Sequence, residues 1–255
     1  MKLVTFNIRC DHKQDGINNF EYRKPYILAK IHKECPDIIC FQEVLPHVAE
    51  WLKEALTDYY VIGCGRDAQL KNEQTSIAYH KSKYNLIQLE VFWLSETPYV
   101  PGSRYSNQSD CPRVCTVALF QELESNKVVR IYNTHLDHIG SEARALGLEQ
   151  ILRHMKEQDN DERSIVQAPS ILIGDLNAYP DSPELQPLKE YPNLCDITSS
   201  IHGTFHDFGR LPIPVKIDYI IAQSNISCNQ LTLWDDYNQG VYLSDHYPVS
   251  ADLCL

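Results

Sequence analysis

Eight polar residues, Asn7, Glu43, His135, Asp175, Asn177, Asp218, Asp245 and His246, stand at the ends or interruptions of segments that are otherwise apolar. A carboxylate beside a buried strand costs free energy unless it is paired or binds a metal, so the recurrence of the pattern points to one shared site. The clearest case is Ile171-Leu172-Ile173-Gly174-Asp175-Leu176-Asn177, three branched apolar residues followed by a polar end. In an extended backbone alternate side chains share a face, which would aim Asp175 and Asn177 the same way and turn Leu176 inward. A carboxylate beside a carboxamide can orient a water and polarise an oxyanion. The alternative is an Asx-type turn in which both side chains bond local backbone amides. This segment alone does not separate the two readings; the matching polar ends at Asn7, Glu43 and His135 favour chemistry.

Oxygen-rich side chains of this kind suit a hard cation such as Mg2+, which takes one or two carboxylates and completes its octahedron with water and substrate phosphate. Glu43 is the first candidate ligand. Two histidines among several acids then suit the remaining tasks, one activating water and one donating hydrogen bonds to developing charge.

The elements that must position these residues alternate between short buried strands and helices, which predicts an α/β class. A strand over Leu3 to Phe6 leads to a helix expected to begin at Pro25, with the proline in its first turn, and to close at Pro36. Asp37 to Glu43 is a second strand, and Pro46 to Leu56 carries the apolar stripe Val48, Trp51, Leu52, Ala55 and Leu56 of a helix lying on a core. Three strand-like pieces between Tyr59 and Leu94 predict an antiparallel meander. The stretch from Val100 to Pro112 is a long surface loop, followed by a strand entered through Arg113. Ser141 is placed to cap a helix with Ala145, Leu148, Leu152 and Met155 inward, ending in the charged stretch from Lys156 to Arg163. A short helix is expected from Ser182 to Lys189. The loop from His202 to Lys216, with Phe205 and Phe208, is aromatic enough to rim a pocket.

With 255 residues, 43% hydrophobic and 22% charged, the chain is expected to form one domain over 1–255 with a substantial core. Its first apolar run is too short for a signal peptide and no stretch approaches the roughly 18 residues of a membrane span, so a cytoplasmic location is expected. Nine cysteines, an odd number with several in apolar contexts, read as reduced core residues. Cys111 and Cys115 have no second pair at zinc-site spacing. The formal charge of −11, without a Lys/Arg run, weighs against long duplex nucleic acid but leaves room for a short phosphate-bearing substrate. No protein partner is evident.

Thr5-Phe6-Asn7-Ile8-Arg9, Phe41-Gln42-Glu43-Val44, Asn133-Thr134-His135-Leu136-Asp137, Gly174-Asp175-Leu176-Asn177, Lys216-Ile217-Asp218-Tyr219-Ile220 and Leu243-Ser244-Asp245-His246-Tyr247-Pro248-Val249 together resemble the ordered motif series of the endonuclease/exonuclease/phosphatase superfamily. The resemblance spans nearly the whole chain. It implies a four-layer α/β sandwich, two face-to-face β-sheets flanked by helices with the site at one edge, and hydrolysis of a phosphoester with Mg2+ or Mn2+. It further implies Glu43 as principal metal ligand with Asn7 beside it, Asp245 as a further metal-side carboxylate, and Asp175 with Asn177 orienting the attacking water and stabilising the transition state. His246 acts on the nucleophile or phosphoryl group and Asp218 orients it. His135 is the second, phosphate-contacting histidine, partnered by Glu73, and Arg113 contacts phosphate.

The substrate expected is a small phosphorylated molecule, a nucleotide or a short single-stranded end, cleaved as a monoester or a diester. A nuclease acting on DNA or RNA is the alternative, and a non-catalytic binding module on the same scaffold is disfavoured because every core chemical position is filled. His138, His154 and His202 read as surface or capping histidines, His12, His32, His47 and His80 stand outside any motif, and His206 is left open. Trp93 reads as a packing residue.

Overall fold

The computed structural model describes residues 1–160 and 167–255. In chain order the elements of the first half are β1 (Lys2–Asn7), α1 (Phe20–Glu34), β2 (Ile38–Gln42), α2 (Pro46–Ala55), β3 (Tyr59–Ile62), β4 (Ile77–His80), β5 (Tyr84–Trp93) and β6 (Val114–Glu122). They are followed by β7 (Val128–His135), α3 (Ser141–Asp159), β8 (Ser170–Asp175), β9 (Leu194–Asp196), β10 (Asp218–Gln223) and β11 (Ser227–Leu233). A two-stranded ladder, β12 (Tyr237–Asn238) and β13 (Val241–Tyr242), precedes the last strand, β14 (Val249–Cys254).

Two six-stranded sheets pack face to face, one in the order β11-β14-β1-β2-β4-β3 and the other in the order β5-β6-β7-β8-β10-β9. Strands buried on both faces need apolar residues on both, and β8, buried at all six positions, is the extreme case. Leu3, Ile38 and Cys40 of the first sheet meet Phe120, Ile131, Ile171, Ile173 and Ile220 of the second in the central core. Outside the first sheet, Ile27 and Ile31 of α1 and Val48 and Leu52 of α2 cover Val4, Phe6, Ile39 and Phe41. On the outer face of the second sheet, Leu148, Ile151, Leu152 and Met155 of α3 cover Tyr132, Leu172 and Tyr219. The fold is the four-layer sandwich expected.

Several local expectations change. α1 begins at Phe20 rather than Pro25, because Asn19 caps it by accepting from the Glu21 N–H and Pro25 sits inside the helix. Gly140, not Ser141, occupies the N-cap of α3, and Ala143 is buried where Ala145 was expected. The end of the charged stretch, residues 161–163, lies outside the described residues. The meander breaks after β4: β3 and β4 pair in the first sheet, whereas β5 crosses to pair with β6 in the second. Of the nine cysteines only Cys10, Cys40 and Cys115 are buried, and Cys35, Cys195 and Cys254 are exposed. No described helix is long and apolar enough to cross a membrane.

Strand pairing brings the polar tips to one edge. In the parallel pair β1 and β2, Asn7 faces Gln42, which places Glu43 just beyond it. In the parallel pair β7 and β8, His135 faces Asp175, and the antiparallel partner β10 starts with Asp218 opposite Asp175. Asp245 and His246 arrive from the first sheet on the segment entering β14, where Phe205 forms a bridge to His246.

Candidate active site

Asp175 lies at the centre of a pocket of about 440 Å³ whose lining includes Glu43, His135, Asn177, Asp245 and His246. Its Oδ2 accepts from Asn7 Nδ2 at 3.1 Å and faces His135 Nε2 at 3.6 Å and His246 Nε2 at 3.8 Å. Its Oδ1 accepts from the Asn177 backbone N–H at 2.8 Å, so the Asx-type turn exists and the site is built on it. Asn177 has a left-handed backbone with φ 49°, so the expected strand-like alternation stops at Asp175; the turn brings Asn177 to the pocket while its Nδ2 donates to Leu136 O.

Glu43 also has positive φ, 62°, a strained conformation for a non-glycine residue that the surrounding bonds hold in place. Its Oε1 accepts from Asn7 Nδ2 at 3.1 Å and its Oε2 from the Cys10 N–H at 2.8 Å. Asn7 was expected among the metal ligands, but its orientation is set by the Arg9 N–H donating to its Oδ1 at 3.0 Å. It therefore presents its amide nitrogen to Glu43 and Asp175 and cross-links them as a donor. Asp245 faces Arg9 Nη1 at 3.5 Å.

His246 Nδ1 lies 2.8 Å from Asp218 Oδ2, both side chains buried. Burial alone would lower the pKa of His246, but the charge and hydrogen bond of Asp218, with Asp245 and Asp175 nearby, outweigh it and raise the value to about 10. His135 goes the other way: burial, then the charges of Arg113 and Arg66, push it well below the usual histidine range. The two histidines are thus an imidazolium and a neutral imidazole in one pocket. Burial and then Asp218 push Asp175 up to about 7, and burial likewise raises Asp245 against the pull of His246. Burial works against Glu43 too, but the Cys10 N–H and the His246 charge hold it below its ordinary value.

The ligand atoms of Asp175, Asp218 and His246 lie within 4.8 Å of one another. Asp218 and His246 bond each other, and the carboxylates that line the pocket, Asp175, Glu43 and Asp245, could add a cation to the bonds they already accept. Asp175 and Asp245, raised by burial and by neighbouring acids, lack positive charge, and with Glu43 they make an all-oxygen donor set that fits a hard divalent ion.

The same pocket also carries cations. Arg113, expected as a phosphate contact, is buried; its Nη2 meets His138 Nδ1 at 2.8 Å and its Nε stands 3.6 Å from Asp137 Oδ1. Glu73 does not pair with His135 as expected. Its carboxylate is 2.6 Å from Arg66 Nη2, because the loop from Gly63 to Ser76 folds Arg66 back against it. Arg66, Arg9, Cys10, His12 and His138 line the pocket and carried no such assignment from sequence; of them only Arg9 stands in a quoted motif. His138 is exposed, as expected, and its Nδ1 also accepts from Arg113. Phe205 reaches the rim and packs on His246 at 4.9 Å between centroids. Phe208 does not: it is buried, with the Arg23 guanidinium 6.0 Å from its ring.

Residues 4–246 match a model of the Endonuclease/Exonuclease/phosphatase family. The fold is similar to that of an endonuclease/exonuclease/phosphatase from Bacteroides vulgatus, with a TM-score of 0.91 and 32% identity covering 100% of this chain and 98% of that one. A mannosyl-6-phosphatase from Bacteroides thetaiotaomicron superposes with a TM-score of 0.89 at 27% identity, over 100% of both chains. An uncharacterised protein of Acanthamoeba polyphaga mimivirus is 27% identical over 271 residues, 98% of each chain. The chain belongs to the endonuclease/exonuclease/phosphatase family.

Proposed function

We propose that this family member is a divalent-metal-dependent hydrolase that cleaves a phosphoester of a small phosphorylated molecule or nucleotide by in-line attack of water. The observation that carries the reading is the polarity of the pocket. The half-buried Glu43 and the buried Asp175 and Asp245 line one pocket with the buried guanidinium groups of Arg66 and Arg113, and His135 and His246 belong to the same lining. A phosphoryl group held across such a pocket meets positive charge on its equatorial oxygens while an acid faces the side from which water enters.

Mg2+ or Mn2+, held by Glu43 with Asp175 and Asp245, would supply Lewis-acid polarisation of a phosphoryl oxygen and neutralise its charge. Asp175, anchored through Oδ1 by the Asn177 N–H, accepts a hydrogen bond from the attacking water and fixes its direction. His246, a cation through Asp218, donates from Nε2 to charge developing on the transferring group. Neutral His135 keeps a ring nitrogen available for a phosphate oxygen or the leaving group. Phe205 at the rim offers an apolar face to the organic part of a small substrate.

The Bacteroides thetaiotaomicron relative is named a mannosyl-6-phosphatase, which supports a small phosphorylated substrate. The net charge of −11 argues in the same direction, since non-specific duplex binding depends on many Lys/Arg contacts that release counterions. The test is a panel of small phosphoesters, short single-stranded oligonucleotides and supercoiled plasmid, assayed with Mg2+, Mn2+ and EDTA at several salt concentrations. A small phosphoester should give the highest kcat/KM, with activity abolished by EDTA. Plasmid as the best substrate, with a steep negative salt slope, would replace this reading with a general nuclease.

A further inference from the structure

We infer that Arg66, latched by Glu73, makes the pocket selective for a phosphomonoester dianion over a phosphodiester. The inference rests on the phosphoester hydrolase reading above and deepens it.

Arg66 is fixed from three directions. Its N–H donates to Glu73 O at 3.1 Å, its own carbonyl accepts from Trp93 Nε1 at 2.6 Å, and its Nη2 donates to Glu73 Oε1 at 2.6 Å. The preceding glycine permits the close approach, because a Cβ on Gly65 would lie 1.9 Å from the Lys71 carbonyl oxygen. A side chain held this way is preorganised for recognition rather than free to follow a ligand.

Despite that fixation, Arg66 Nε has no hydrogen-bond partner among the described residues, and neither do Nε and Nη1 of Arg113. Both arginines are more than nine-tenths buried, Arg66 being 6% and Arg113 3% exposed. Buried N–H groups are almost always paired, and an unpaired one carries its full desolvation cost. The remaining bond of Arg113 goes to His138 Nδ1, an uncharged acceptor, and Asp137 beside it already accepts from the N–H groups of Ser109 and Gly140. Arg66 thus holds one anionic oxygen, from Glu73, and Arg113 has only the more distant Asp137, 3.6 Å from its Nε, so three guanidinium N–H groups of the pair still lack an acceptor.

Shape restricts which anion fits. The large pocket shares Glu43, Arg66, Glu73, Arg113 and His135 with a second cavity of only about 10 Å³, room for roughly one water. An ester arm has no room in that second cavity, and Phe205 borders the large pocket, where the single alcohol of a monoester would lie. A monoester also brings three non-bridging oxygens and a charge of about −1.5 to −2, against two oxygens and one charge for a diester, which matches a pair of forked cations.

4-Nitrophenyl phosphate and methyl 4-nitrophenyl phosphate, which share a leaving group, test this with wild-type protein and Mg2+. The monoester should have the higher kcat/KM, and Arg66→Gln should lower it about a hundredfold, at least about tenfold more than it lowers the diester's. A diester preferred by the wild type, or equal losses on both esters, would overturn the inference. If Arg66→Gln fails to fold, inhibition of the wild type by phenylphosphonate and by its monomethyl ester decides: the dianion should bind at least about tenfold tighter, and equal inhibition would overturn the proposal. Absence of turnover on either ester with Mg2+ or Mn2+ would remove the hydrolase reading itself, whereas good diester turnover would leave that reading intact and remove only the selectivity.

Discussion

His246 Nδ1 and Asp218 Oδ2 lie 2.8 Å apart although the two residues are 28 positions apart and come from different sheets. Asp218 opens β10 of the second sheet, and His246 enters on the segment that leads into β14 of the first. The bond therefore ties the two layers together at the edge where the site forms, and it sets the charge of the histidine.

That charge is testable in the metal-free protein. With its pKa raised to about 10, His246 should remain an imidazolium at pH 8. Because the folded value exceeds the unfolded value of about 6.5, its contribution to stability is complete below pH 6.5 and is lost as pH rises through about 10. In Asp218→Asn the largest raising influence disappears and burial works to lower the value, so the ring should be neutral at a lower pH than in the wild type. Imidazole 15N shifts followed from pH 5 to 10 read this directly; an unchanged titration would show that Asp218 does not set the charge.

Glu43→Gln removes a charge and keeps the shape, but its single amide oxygen can accept only one of the two bonds from Asn7 and Cys10. If Glu43 holds the cation, Mn2+ affinity by calorimetry should weaken and kcat/KM should fall at least about a hundredfold. Undiminished turnover at saturating Mg2+ would exclude this role.

Much of the site was legible because each strand announces its own end. Asn7, Glu43, His135, Asp175 and Asp218 all follow or open apolar runs, and parallel pairing in register then brings those ends together. Arg66 was not legible. It sits in a loop without periodicity and reaches the pocket through contacts with Glu73 and Trp93 that no spacing announces. The division into two sheets was equally hidden from the residues themselves, since β4 and β5 are neighbours in sequence and only packing sends them to different layers. At Asn177 local turn chemistry overrode strand alternation, and at Pro25 the cap provided by Asn19 overrode the proline signal.

Asp137 gives a prediction about acid stability. It accepts from the Ser109 hydroxyl, and from the backbone N–H groups of Gly140 at 2.7 Å and of Ser109 and Ile139 at 3.2 Å. Burial opposes ionisation, yet these bonds and Arg113 bring its pKa down to about 2. A depressed folded value means that the stabilisation is present above the unfolded value, about 3.9, and fades as pH falls through about 2. Asp137→Asn should lower the urea midpoint at pH 6, with the gap from wild type narrowing between pH 4 and pH 2.5. A gap independent of pH would mean that packing rather than charge is responsible.

Gly174 controls how closely β7 and β8 approach beneath the site. Its φ is 136°, and a Cβ there would lie 2.0 Å from the Thr134 carbonyl oxygen on the neighbouring strand. Backbone cannot yield as a flexible side chain does, so Gly174→Ala must part the strands at the step before His135 and Asp175 face each other. The expected cost is about 2–4 kcal/mol of stability from strain at a special backbone conformation. Displacing Asp175 by even a fraction of an ångström relative to His246 and Glu43 should also lower kcat, by about a hundredfold for a 1 Å error. Thermal unfolding and single-turnover kinetics on the same preparation separate the two effects. A variant with wild-type Tm and wild-type kcat would mean that β7 and β8 are not held as closely as the register between Thr134 and Gly174 requires.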